Sequence, residues 1–245
     1  MEILVFAAII LGFYMAWNIG ANDVANSMAD AVGSRAITIF WAVILAAICE
    51  FAGAFLVGSH VAETVRKGII EPGAFAADPQ ALAVGLVCAL LAASLWLNAA
   101  SYFGLPVSTT HSIVGAIAGF GVLAAGVSHV QWDTMAQIVA SWFVSPIAGG
   151  LIGYAVFRLI STFILANDHP QRAAKLGVPI CTFFAFAIVS LGTIYKGLKH
   201  MDFVLTGAQS FVVSGFIGLL AAVAAYSLLH KRWANNANAP LKDQL

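Results

Sequence analysis

The sequence predicts an all-α, polytopic transmembrane protein, and its composition, segment lengths and residue pattern support this prediction. Of the 245 residues, 61% are hydrophobic and only 9% are charged, and the mean hydropathy is +0.93. Soluble domains carry roughly 25% charged residues. A helix needs about 20 apolar residues to cross the hydrocarbon core, and apolar runs of that size recur along the chain. The dyad alternation of a membrane β-barrel is absent.

The apolar segments fall within residues 1–230, which we expect to form one transmembrane domain, and residues 231–245 form a polar tail or a truncated central linker. The segments expected to enter the membrane are residues 3–19, 37–58, 81–101, 105–126, 135–163, 178–196 and 210–230. The first segment lacks the basic start of a secretory signal, so we expect the membrane to retain it. Net charge is zero, which gives no field to recruit nucleic acid.

The first polar stretch is NIGANDVANS, residues 18–27, which directly follows an apolar run. Residues three and four apart share one face of a helix, which predicts a polar stripe of Asn22, Asp23, Asn26, Ser27 and Asp30. Gly20 favours an irregular backbone, so we predict a helix break at residues 18–22. Its oxygen atoms suit a hard cation such as sodium. The alternative is that Asp23 only caps a helix at the interface.

The second polar stretch is GLPVSTTHSIVGAIAG, residues 104–119. Pro106 ends one apolar run, and Ser108, Thr109 and Thr110 place consecutive hydroxyls where the next helix begins. A helix N-terminus exposes unpaired N–H groups and partial positive charge, so it can bind an oxyanion without Lys or Arg. The alternative is that these hydroxyls only cap the helix and bond to its carbonyls.

Glu50 is a carboxylate near the middle of the predicted span 37–58. Placing a charge there costs roughly 2.5 to 3.5 kcal/mol on insertion scales. This cost favours either an ion-coupling role or a buried, hydrogen-bonded acid. The chain has no G-x-S-x-G elbow, and no nucleophile is paired with a base in a recognisable pattern, so an enzyme is not predicted.

Four stretches resemble the PiT family of inorganic phosphate transporters. They are GANDVANS at 20–27, VGSRAIT at 32–38, CEFAGAFLVGSHVAETVRKGII at 49–70 and GLPVSTTHSIVGAIAGFG at 104–121. The resemblance implies a secondary transporter built from two inverted repeats, of which this chain would supply one. It also implies a re-entrant helical hairpin with arms 81–101 and 105–126, whose tip carries Ser108, Thr109 and Thr110.

The resemblance further implies cation-coupled symport of inorganic phosphate across the cell (inner) membrane. The phosphate-binding residues would be Asp23, Ser108, Thr109 and Thr110, and the residues for cation binding and coupling would be Asn22, Asp23, Asn26 and Glu50. Asp23 and Asn26 would ligate a sodium ion. No cofactor is expected besides the co-transported sodium ion or proton. The expected partners are phosphate, that cation, membrane lipid, and a second half or further copies of the chain.

The sequence contains one GANDVAN run and one hydroxyl run, so half of the site that the resemblance implies is missing. The chain is therefore expected either to be the N-terminal half of a longer or split protein, or to assemble as an antiparallel dimer. Two other functions stay open: a related sulfate permease, and an inactive scaffold or regulatory half. Sodium and proton coupling are not distinguished by the residues.

Overall fold

The chain is all-α, as predicted. The structure is a computed structural model that describes residues 2–196 and 205–236. The helices are α1 (Glu2–Gly33), α2 (Ile39–Gly68), α3 (Pro79–Tyr102), α4 (Thr109–Ala124), α5 (Trp132–Ile160), α6 (Pro170–Lys196) and α7 (Gly207–Asn236). In these described ranges, extended pairing is limited to one antiparallel bridge between Ile70 and Val130.

Six of the described helices are long and apolar enough to cross a membrane. Large hydrophobic side chains cover their outer surfaces: Phe13, Trp17, Phe51 and Leu151 are 77, 76, 73 and 67% exposed. Such a surface is unfavourable in water and favourable in lipid. The chain is therefore a multi-pass membrane protein. The shorter helix α4 has 16 residues, or about 24 Å, which is less than the roughly 30 Å of the hydrocarbon core.

The predicted break at residues 18–22 is wrong, because α1 continues without interruption from Glu2 to Gly33. At 1.5 Å per residue this helix is about 48 Å long, so it extends well beyond the hydrocarbon core. The polar side chains of Asn18 and Asn22 are buried against neighbouring structure and find hydrogen-bond partners there. Unwinding the helix is therefore not needed to satisfy them.

The predicted hairpin is present as α3, a short connection and α4. Pro79 begins α3 after Asp78, whose carboxylate accepts a hydrogen bond from Ala81 N at 3.0 Å. After α3 the backbone reverses at Gly104, which has φ +68°, a conformation that glycine adopts without strain. The arms span Pro79–Tyr102 and Thr109–Ala124, close to the predicted 81–101 and 105–126.

The structure divides into two compact units, and the first comprises Met1–Val139. Its core lies where α1, α3 and α4 meet, around Met15, Ala93 and Leu97. The segments that follow α2 and α4 meet in the antiparallel bridge, where Glu71 N donates to the His129 carbonyl at 2.9 Å. The first unit thus joins the first polar stretch, on α1, to the hairpin that carries the second.

The second unit comprises Ala140–Leu245, and α6 and α7 pack closely within it. A methyl group at Gly218 would lie 2.8 Å from the Phe183 carbonyl oxygen and 3.0 Å from Ala187 Cβ, which shows how near the two backbones come. Helix α7 ends at Asn236, beyond the predicted domain limit at residue 230. The rest of the predicted tail, residues 237–245, lies outside the described residues, so its assignment as a linker stays a prediction.

Candidate functional site

A ladder of polar contacts joins one face of α1 to one face of α3. Three contacts form it. Asn98 Nδ2 donates to Asn18 Oδ1 at 3.1 Å and Asn22 Nδ2 to Ser101 Oγ at 3.2 Å, while Ser94 Oγ, which donates to the Leu90 carbonyl at 2.7 Å, lies 3.3 Å from Met15 Sδ. The partners are 80, 79 and 79 residues apart in sequence. A nearly constant separation means that the two helices run in the same direction. The ladder therefore fixes the height of α1 against the end of α3.

Asn22 connects this ladder to the segment between α3 and α4. Besides its bond to Ser101, its Nδ2 donates to the Leu105 carbonyl at 3.1 Å, and its Oδ1 accepts from Val107 N at 3.2 Å. The side chain is 5% exposed. The amide of Asn22 thus binds backbone groups on both sides of Pro106.

Asp23 meets the hydroxyl run directly. Thr109 Oγ1 donates to Asp23 Oδ2 at 2.9 Å, a contact between residues 86 apart in sequence. Asp23 is half-buried, as is Thr109. The structure therefore brings together the two polar stretches that the sequence singled out.

The start of α4 has the capped geometry that the hydroxyl run predicts. Ser108 is the N-cap, and its Oγ accepts from His111 N at 3.3 Å. Ser112 Oγ donates to the Ser108 carbonyl at 2.8 Å. Ser108 and Thr110 are exposed. A capping hydroxyl still has its own proton to donate, so Ser108 can cap the helix and bind an anion at once.

The predicted polar stripe on α1 reaches this site only in part. Asn26 Nδ2 donates to Asn22 Oδ1 at 3.3 Å, although Asn26 itself is exposed. Ser27 is exposed and donates to the Val24 carbonyl of its own helix, and Asp30 is exposed as well. Asn22, Asp23 and Asn26 therefore form a cluster that Ser27 and Asp30 do not join by any described hydrogen bond.

Glu50 lies apart from this cluster. It occupies an exposed position on α2, and none of the hydrogen bonds among described residues joins it to α1 or to the hairpin. Its role in coupling stays a prediction.

Three contributors to the site were missed from sequence: Asn18, Asn98 and Ser101. A signal for them exists, since Ser94, Asn98 and Ser101 are four and three residues apart and so share one face of an otherwise apolar helix. Asn18, only 1% exposed, was assigned to the helix break. Its actual position is inside the helix, facing α3.

An acid and a set of hydroxyls thus meet at the N-terminus of a helix, inside a multi-pass helical membrane protein, and such a helix end can bind an anion. The comparisons with known proteins give the family. The sequence profile of the "Phosphate transporter family" matches residues 19–242. The chain belongs to the phosphate transporter family.

Individual relatives are similar over most of the chain. A protein of Pyrococcus furiosus that is named as a phosphate permease is 44% identical over 226 residues. The match covers 92% of this chain and 54% of that protein. Inorganic phosphate transporter 2-1, chloroplastic, of Arabidopsis thaliana is 46% identical over 189 residues, 77% of this chain and 32% of its own length. A solved structure described as the sodium-dependent phosphate transporter matches with a TM-score of 0.85 at 41% identity, and the match covers 94% of this chain and 56% of that one.

The chain spans about half the length of the first of these relatives and less of the second.

Proposed function

We propose that this chain supplies one half of a sodium-coupled inorganic phosphate symporter of the cell membrane. The observation that carries the proposal is the hydrogen bond between Thr109 and Asp23, which sets a carboxylate beside the hydroxyl-rich N-terminus of α4. The family membership and the name of the matching solved structure support phosphate as the anion and sodium as the cation.

The anion would bind at the start of α4. Ser108 and Thr110 offer hydroxyl donors to a tetrahedral oxyanion, and the N–H groups that the Ser108 cap leaves unpaired in the first helical turn add donors and partial positive charge. Thr109 has one hydroxyl proton, which it donates to Asp23, and it would turn this proton to the anion once sodium occupies the carboxylate. No Lys or Arg lies between residues 68 and 157. The helix end and a co-bound cation would therefore balance the charge of phosphate.

The carboxylate of Asp23 makes the cation necessary. Two like unit charges about 5 Å apart repel by about 3 kcal/mol at an effective dielectric constant near 20. A phosphate at the start of α4 would meet this repulsion from Asp23 unless a cation neutralised the carboxylate. Sodium at Asp23, with Asn26 as a neighbouring oxygen ligand, removes the repulsion and lets both ions bind together.

A complete site would need a second half. Inverted-repeat transporters bind substrate between their two halves near the midplane of the bilayer, and this chain supplies one acid-bearing helix and one hairpin. The partner would be a second segment with its own hairpin or another copy of this chain. Glu50, exposed on α2, would act in coupling from a position outside the cluster.

Uptake of labelled phosphate into proteoliposomes tests the proposed function, with the half that completes the family's length supplied alongside this chain. An inward sodium gradient is expected to drive uptake, whereas a choline gradient of the same size is not expected to drive it. Unlabelled phosphate should compete strongly and sulfate weakly, since sulfate has no proton to donate at neutral pH. Uptake that ignores both sodium and proton gradients would contradict symport, and stronger competition by sulfate would assign the site to that anion.

A further inference from the structure

The hydrogen-bonding capacity of the Asn22 side chain is fully used. Its Nδ2 donates to Ser101 Oγ at 3.2 Å and to the Leu105 carbonyl at 3.1 Å, and its Oδ1 accepts from Val107 N at 3.2 Å and from Asn26 Nδ2 at 3.3 Å. A primary amide has two N–H donors and two oxygen lone pairs. The backbone partners also fix which end of the amide is oxygen, because Val107 N–H can only donate and the Leu105 carbonyl can only accept.

These bonds hold a segment whose own backbone is incompletely paired. The amides of Phe103, Gly104 and Leu105 bond back to carbonyls at the end of α3. Pro106 has no N–H, and Val107 N–H has the Asn22 oxygen as its acceptor. Asn22 therefore ties the chain on both sides of Pro106 to α1, immediately before Ser108 caps α4.

We propose that Asn22 is a positioning residue that clamps the turn before α4 to α1, and that it is not a cation ligand. This inference rests on the proposed function, in which phosphate binds at Ser108 and Thr109 and sodium binds at Asp23. The clamp sets the positions of Ser108 and Thr109 relative to Asp23. Asn22 and Asp23 then have different roles. Asn22 holds the turn, and Asp23, next along the helix, faces the hydroxyl of Thr109.

A clamp and a ligand differ in what their loss changes. Without the Asn22 amide, Val107 N–H loses its acceptor and the turn loosens, while the carboxylate that binds sodium remains. Loss of a ligand would instead weaken sodium binding and leave the turn in place. Backbone exchange and sodium binding therefore separate the two roles, and neither measurement requires transport.

Hydrogen exchange of the 103–108 segment, followed by mass spectrometry in detergent, tests the clamp. Asn22→Ala is expected to speed exchange of the Val107 amide roughly five- to tenfold, the range set by the loss of one intramolecular hydrogen bond. Asn22→Asp keeps an acceptor oxygen and should keep that amide slow. The matched control is Ser27→Ala, which removes a polar side chain of the same helix that donates to the Val24 carbonyl of that helix and should leave Val107 exchange unchanged.

Sodium binding is measured in the same variants as the midpoint of thermal stabilisation by NaCl, with choline chloride as the reference salt. The midpoint is expected to stay within about twofold of the parent value in Asn22→Ala, since the net loss of a hydrogen bond remote from the ion changes its affinity little. Unchanged Val107 exchange in Asn22→Ala would overturn the proposal. Loss of sodium stabilisation in Asn22→Ala would overturn it too. Failure of phosphate uptake alone would count against the proposed function and leave the clamp intact.

Discussion

At the scale of single residues, the site depends on a carboxylate and a hydroxyl that are far apart in sequence. Thr109 Oγ1 and Asp23 Oδ2 are 2.9 Å apart, a distance within the ordinary range of an O–H···O hydrogen bond. Neither residue is fully buried, so water and ions can reach the pair. The contact explains why two short polar stretches in an apolar chain belong to one site.

Replacing Thr109 by valine keeps the shape of the side chain and removes its hydroxyl. Bonds to charged groups contribute about 1.5 to 3 kcal/mol, so we expect the KM for phosphate uptake by the completed transporter to rise about tenfold or more. Thr109→Ser keeps the hydroxyl and should restore most of the affinity. The measurement is the concentration dependence of labelled phosphate uptake.

The matched control for this substitution is Thr182→Val. The Thr182 hydroxyl donates only to the Val178 carbonyl of its own helix, at 2.9 Å, and lies in the other compact unit. Its loss should leave the KM unchanged. An equal rise in KM in both valine variants would show that any lost hydroxyl weakens transport and would remove the special role of Thr109.

Part of the site could be predicted from residue types and part could not. Asp23 and the Ser108–Thr110 hydroxyls stand out because charge and consecutive hydroxyls are rare in apolar runs. Ser101 and Asn98 share a polar face of an apolar helix, but the sequence does not show what that face contacts. Only the packing of α3 against α1 reveals that they face Asn22 and Asn18.

At the scale of elements, α1 shows where the local pattern misleads. Gly20 and the asparagines around it favour a break by propensity, but α1 is helical throughout. The ladder to α3 supplies partners for the polar side chains, so tertiary contacts override the local preference. The hairpin was implied by the family resemblance, and the Ser108 cap at the start of α4 agrees with it.

The packing of α7 against α6 depends on which glycine of α7 faces α6. A methyl group at Gly218 would meet the Phe183 backbone oxygen at 2.8 Å, whereas one at Gly215 would have no neighbour within 4 Å. Backbone cannot move aside as a flexible side chain can. Gly218→Ala is therefore expected to destabilise the packing of α6 and α7 by roughly 1 to 3 kcal/mol.

The control in the same helix is Gly215→Ala, which should leave stability unchanged or raise it slightly, because alanine favours helix over glycine. Thermal unfolding in detergent compares the two variants with the parent. A lower Tm for Gly215→Ala, or an unchanged one for Gly218→Ala, would contradict the close approach of the two helices.

At the scale of the whole molecule, composition was enough to predict an all-α, multi-pass membrane protein. The resemblance of four short stretches was enough to predict the family to which the chain belongs. The proposed arrangement of two halves could not be derived in the same way, since the chain spans about half the length of such relatives as the Pyrococcus furiosus protein. The proposed coupling would be a property of such a two-half molecule, and the charge of Asp23 makes it testable there.

The most direct test is the affinity of the completed transporter for phosphate, measured with and without sodium in the parent and in Asp23→Asn. In the parent, removing sodium should weaken phosphate binding about 100-fold, which corresponds to the repulsion of about 3 kcal/mol estimated above. Asp23→Asn should bind phosphate equally with or without sodium and lose uptake driven by the sodium gradient, while inserting normally into the membrane. Sodium dependence of the same size in the variant would contradict a shared site at Asp23.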